Sequence, residues 1–230
     1  MQKSAGAGIN YNTSLEPLND NGNFIQVSVR KLSMLIMAIT SPPLHPSGSK
    51  STLFFSRILH WPPVGGSGVT LGRGYDMGNR SAGEILSTLM LAGIEEYKAQ
   101  LCAKAAGLKN READQFVKVY GPFVGEITHQ QQIRLFEIAY REKIEYGKGV
   151  YSRHVEKLKI VNAVQWNSLD KVIRDAFIDT LYQGNITARQ MVKIMAQGGS
   201  RQQIIDYLRN DSNLGNDKRR TNIRVRNLQQ

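Results

Sequence analysis

The clearest periodicity in the chain runs from Ser168 to Gln183, where Leu169, Val172, Ile173, Ala176, Phe177 and Leu181 recur at helical spacing. That pattern predicts an amphipathic helix at the centre of the core, with Gly184 as its stop. The same period predicts helices over Ser81–Leu91, over Ile94–Ala106 up to Gly107, and over Asn110–Tyr120, closed by Gly121 and Pro122. Thr128 and Gln131 form a capping box ahead of a helix with Ile133, Phe136 and Tyr140 on one face. The following segment, Ile144–Ile160, is a weaker helix because Gly147 and Gly149 interrupt it. Two shorter helices follow, Thr187–Ala196 and Ser200–Leu208, the second opened by a Ser200–Gln203 capping box. The basic tail, Lys218 to Arg226, reads as a solvated last helix.

The helical period is absent from the first part of the chain. Residues 1–23 are rich in Gly, Asn and Ser and show no period, and residues 24–39 alternate before turning helical. The breaker cluster Ser41 to Ser49 then marks a boundary, which divides the chain into an N-terminal extension or linker, 1–48, and a domain, 49–230. A short helix over Ser49–Ile58 opens that domain. From 59 to 78 the sequence LHWPPVGGSGVTLGRGYDMG packs glycines, prolines, one Thr and one Asp into a turn-rich stretch. Val69-Thr70-Leu71 is short enough for one strand of a hairpin, and Gly72 and Gly74 flank Arg73 where backbone bends tightly. The expected fold is mainly α (α+β), with a small β-lobe at about 59–78 followed by a bundle of helices.

Composition narrows the partners. Lys and Arg outnumber Asp and Glu by 30 to 19 in 230 residues, a formal charge of +11 that favours a polyanion: nucleic acid, an anionic membrane surface or an acidic wall polymer. No DNA- or RNA-binding motif accompanies the charge. GSGVTLGRG is glycine-rich, but no Walker lysine follows and the GxGxxG fingerprint is missing, which argues against a nucleotide cradle. Cys102 stands alone and reads as a buried structural thiol. The longest apolar run, Leu32 to Ile39, falls well short of the ~20 residues of a transmembrane helix. Residues 1–23 also lack the basic and apolar regions of a signal peptide, so export would use another route.

The stretch GVTLGRGYDMG with its LHWP lead resembles the glycan-cleaving domain of pesticin and of related wall-degrading effectors in the phage-lysozyme superfamily. THQQQIRLF is similar to that family's helix after the β-lobe, and RDAFIDTLYQG to its central helix, so the resemblance spans about residues 49 to 228. It implies a lysozyme-like muramidase that cuts the sugar backbone of peptidoglycan by inversion. By motif, Asp76 would be the base and Thr70 would help to hold the attacking water. Such a protein would be an antibacterial toxin or effector made in the bacterial cytoplasm. It would be exported without a conventional signal peptide and act in the periplasm of a target cell. Its partners would be peptidoglycan, a secretion apparatus and a cognate immunity protein, with neither metal nor organic cofactor. Trp61 and Tyr75 are candidates for stacking on sugar rings, and His60 and Arg73 for further substrate contacts.

One half of the catalytic pair departs from the family pattern. The family places its general acid, a Glu, on the helix before the β-lobe, yet this chain has no Asp or Glu between Asp20 and Asp76. Glu16 in the lead, and Glu84, Glu126 and Glu137 beyond the motif, are the remaining candidates for the proton donor. The alternative is a catalytically impaired peptidoglycan-binding protein on the same fold.

Overall fold

A computed structural model describes residues 57–62, 66–182, 189–211, 214 and 218–230. The extension, the strand or helix expected over 24–39 and nearly all of the helix expected over Ser49–Ile58 lie outside them, as does Glu16. The chain is mainly α with a small β part. A hairpin of β1 (Thr70–Leu71) and β2 (Tyr75–Asp76) is followed by α1 (Ala82–Leu91), α2 (Glu96–Ala103), α3 (Asn110–Val124) and α4 (His129–Lys157). A 3-10 turn (Trp166–Ser168), α5 (Lys171–Tyr182), α6 (Arg189–Ala196), α7 (Arg201–Asn210) and α8 (Lys218–Leu228) complete the order.

Local chemistry sets most of the boundaries. Ser81, Thr128 and Ser200 each form a capping box, with Glu84, Gln131 and Gln203 returning the bond, and they start α1, α4 and α7. A cap of this kind contributes about 1 kcal/mol. Three boundaries differ from the sequence expectation. Helix α3 does not stop at Gly121 and Pro122 but runs on to Val124, with Pro122 inside it. Proline removes one amide from the ladder, and here the stop is Gly125, whose φ of 62° turns the chain out of the helix. Helix α4 runs unbroken through Gly147 and Gly149 to Lys157. Gly147 is there for packing: a Cβ on it would sit 2.2 Å from Cδ1 of Ile178 on α5. Ser168 belongs to the 3-10 turn, and α5 begins at Lys171 behind Asp170, whose carboxylate accepts the Val172 amide at 2.8 Å. Gly184 and Thr187, expected at the end of α5 and the start of α6, lie outside the described residues.

Two apolar clusters hold the chain, and α4 serves both. Leu71, Tyr75, Met77, Ile85, Leu89 and Phe116 join the hairpin to α1–α3, with Leu135 and Ala139 of α4 on the same cluster. Phe136, Tyr140, Val150 and Tyr151 of α4 face the second cluster with Trp166, Phe177 and Met191. At 1.5 Å per residue, α4 is roughly 44 Å long. It is the axle on which the β-lobe and the C-terminal helices are mounted. Cys102 is fully buried, and burial pushes its thiol up to about 12.

The basic tail is only partly solvated. Arg224 of α8 is completely buried, where its Nε donates to Asp179 Oδ2 at 2.5 Å and its Nη2 to the Asp179 carbonyl at 3.2 Å. A single amphipathic stripe on α8 buries Thr221, Arg224, Val225 and Leu228 while Lys218, Arg219 and Arg226 stay outside.

Candidate functional site

The hairpin is held in place by its own backbone. His60 and Thr70 exchange both amide bonds, at 3.0 and 2.8 Å, and Thr70 pairs with Asp76 across β1 and β2. The connection between the strands turns on Gly72 and Gly74, whose φ values of 63° and 88° suit glycine. Tyr182 at the end of α5 donates its hydroxyl to the Arg73 carbonyl at 2.5 Å and fastens the turn to the helices. On the far side, the Gly107 amide donates to the Met77 carbonyl and the Asn110 amide to that of Ser67, so the loop before α3 braces the lobe.

Within this frame the Asp76 carboxylate is fixed by backbone donors. The Gly68 amide donates to Oδ1 at 3.1 Å and to Oδ2 at 3.2 Å, and the Gly78 amide donates to Oδ1 at 2.7 Å. Asp76 is half-buried. Thr70 is buried, and its hydroxyl donates to the Gly68 carbonyl at 3.1 Å. Gly68 therefore touches both candidate residues, through its amide to Asp76 and its carbonyl to Thr70. Thr70 and Asp76 stand opposite each other as a cross-strand pair. The bracketing role of Gly68 and Gly78 was legible only as glycine richness.

The other expected contacts divide. Trp61 is half-buried and donates its indole N–H to the Ser67 carbonyl at 3.1 Å, which leaves ring area accessible. His60 faces the Ile58 carbonyl through Nδ1 at 3.1 Å, and burial lowers its pKa, a structural rather than an acidic setting. Arg73 and Tyr75 turn inward instead of toward a substrate. Arg73 is buried, donates from Nη2 to Gln132 Oε1 at 3.4 Å and lies 6.0 Å from the Phe136 ring centre. Tyr75 is 1% exposed and its ring is covered by the Arg80 guanidinium at 4.3 Å. Strand alternation accounts for Tyr75, which enters the core while its neighbour Asp76 is the half-buried residue of β2; Arg73 lies in the turn before the strand.

Among the described residues, two of the candidate proton donors, Glu84 and Glu126, are engaged elsewhere. Glu84 is exposed and serves as the N3 acceptor of the α1 capping box. Glu126 is ion-paired with Arg57. Glu137 lies half-buried on α4. A carboxylate the motif did not suggest, Glu142 on α4, accepts from Arg80 at 2.7 Å. Lys143 beside it is lowered by burial and by Arg80, while Glu142 and Asp76 act on it in the opposite sense. Charge thus gathers on the α4 side of Asp76, with Arg80 and Lys143 as cations and Glu142 as the second anion. Glu142 could have been suspected only from its place three residues past Ala139 and seven past Leu135, on the face that meets the hairpin. Among the described residues no group of three or more His, Cys, Asp or Glu side chains could hold a metal ion. No helix among them is long and apolar enough to cross a membrane.

A family model described as a domain of unknown function, DUF8812, matches residues 44–218. The chain belongs to this family. The DUF8812 match begins inside the breaker cluster Ser41 to Ser49, and it includes the hairpin, Asp76 and the helices through the start of α8. No match is found among curated proteins.

Proposed function

We propose that the chain is a peptidoglycan glycoside hydrolase, a muramidase, with Asp76 as the water-activating base and Thr70 beside it. The observation that carries this reading is the Asp76 carboxylate, held by the amides of Gly68 and Gly78 on a hairpin braced from three sides. A base must stand at a fixed distance from the water it activates, and backbone donors on a rigid turn supply that fixity. The net charge of +11 suits an anionic wall polymer by long-range steering. The resemblance of GVTLGRGYDMG to pesticin-like domains supplies the substrate class and the setting: a bacterial effector, acting on a target cell's wall, with a secretion apparatus and an immunity protein as partners.

Inversion at the sugar also needs a protonated acid, with the two carboxyls roughly 6.5–9.5 Å apart. Glu84, Glu126 and Glu142 are tied into a cap or ion pairs, which leaves Glu137 as the remaining described candidate and supports as a second reading a wall-binding protein with impaired catalysis. Purified sacculi separate the two. Release of reducing sugar ends supports hydrolysis; retention of the protein on sacculi without release supports binding alone; absence of both overturns the assignment of the wall as partner.

A further inference from the structure

A cavity of about 330 Å³ lies at the far end of α4 from the hairpin, between that helix and the segment 163–167. Its helical wall is a single stripe: Lys148, Tyr151, Ser152, Val155 and Glu156 stand at i, i+3, i+4, i+7 and i+8. The opposite wall is shaped by a chain reversal in which Lys159 and Asn162 take φ values of 51° and 54°. Non-glycine residues seldom adopt that conformation, so the surrounding contacts must hold it. They are visible: the Val164 amide donates to the Ala196 carbonyl at 2.9 Å, and the Tyr151 hydroxyl donates to the Val164 carbonyl at 2.6 Å. The wall is therefore preformed.

The chemistry inside is amphipathic and bipolar. Val155, Val164 and the buried Trp166 give an apolar floor, and the amide side chains of Gln165 and Asn167 stand at the margin. Lys148 and Glu156 sit at opposite ends of the stripe, both exposed. Neither enters an ion pair among the described residues, although α4 offers neighbours of opposite sign. Eight residues of helix separate their Cα atoms by about 12 Å. An extended chain covers about 10 Å in three residues, so a tripeptide places its terminal ammonium and carboxylate at a matching separation.

We infer that this cavity binds a short peptide with both ends free, its carboxylate on Lys148, its ammonium on Glu156 and its small apolar side chains over Val155 and Val164. The amides of Gln165 and Asn167 are placed to pair with the peptide backbone. The site is independent of Asp76 and of any action on glycan.

Calorimetric titration of the full chain with trialanine tests this, alongside N-acetyl-trialanine amide, which has the same shape without either charge. Saturable binding at millimolar concentration is expected for the first and none for the second. Lys148→Gln and Glu156→Gln should each weaken binding about tenfold, as loss of one charge-assisted contact implies. The exchanged pair K148E/E156K should restore it with the peptide reversed. Both positions are exposed, and circular dichroism confirms folding of each variant. Absence of trialanine binding, equal binding of the blocked peptide, or indifference to both single variants overturns the assignment.

Discussion

Gly68 and Gly78 lie backbone against backbone: a Cβ on Gly68 would come within 2.4 Å of the Gly78 Cα and 2.6 Å of Asp76 Oδ1. The close approach lets two amides from opposite sides of the lobe reach one carboxylate. Glycine at both positions is thus a condition for the geometry of Asp76, not merely for a flexible turn.

Gly68→Ala is therefore expected to destabilise the lobe by about 1–3 kcal/mol, as overpacking against backbone does, and to displace Asp76. Gly66→Ala is the control. Its φ of 81° brings strain, but nothing lies within 4 Å of the added Cβ. It should lower stability by ~1 kcal/mol and leave wall degradation intact. Urea denaturation and turbidity loss of sacculi, measured on both variants, separate steric displacement of Asp76 from general loosening.

Asp76→Asn keeps an oxygen acceptor for Gly68 and Gly78 but removes the base. Release of reducing ends from sacculi should fall by roughly 10²–10⁴-fold, the usual contribution of a positioned base. The variant should still fold by circular dichroism. An unchanged rate would remove Asp76 from the mechanism.

The pair Arg224–Asp179 carries a different expectation, because both side chains are fully buried. Arg224→Met leaves a buried carboxylate unpaired and should destabilise by about 3–5 kcal/mol. The double variant Arg224→Met with Asp179→Leu should recover most of that loss, since an apolar pair of similar volume avoids the desolvation of two ions. Denaturation midpoints of the two single variants and the double variant give the coupling directly. Strict additivity would mean that the pair does not act as a unit.

These elements were unequally visible in the sequence. The capping boxes at Thr128 and Ser200, the apolar stripe of α5 and the hairpin around Thr70 and Asp76 depend on neighbours within a few residues, and each was legible. The continuation of α4 through Gly147 was not, because it depends on Ile178 arriving from another helix. Arg224 looked solvated for the same reason: its partner lies 45 residues away on α5. The inward turn of Tyr75 and Arg73 follows from which side of the hairpin meets α4, a tertiary choice. Glu142 joins the charges around Asp76 through Arg80, whose guanidinium covers Tyr75. No local motif announces that relay.

The pH response of the lobe can be read from His60. Burial holds its pKa below the ordinary 6.5, opposed by the Ile58 carbonyl. Well above that value His60 is neutral in both folded and unfolded chains and contributes nothing to pH dependence. As pH falls through 6.5 the unfolded chain takes up the proton first, so stability declines until the lower folded pKa is reached, and is level below it. Wild-type protein should therefore lose stability between about pH 7.5 and pH 5, and His60→Gln should lose less across the same interval. His154 is also lowered, by burial and by Lys157, Arg189 and Arg153, so His154→Gln is the necessary companion. Being on α4 away from the hairpin, it should alter the global slope without changing the lobe. Urea midpoints at the two pH values, combined with amide exchange at Thr70, distinguish the two histidines. Equal slopes in wild type and His60→Gln would show that the lobe does not sense pH through this ring.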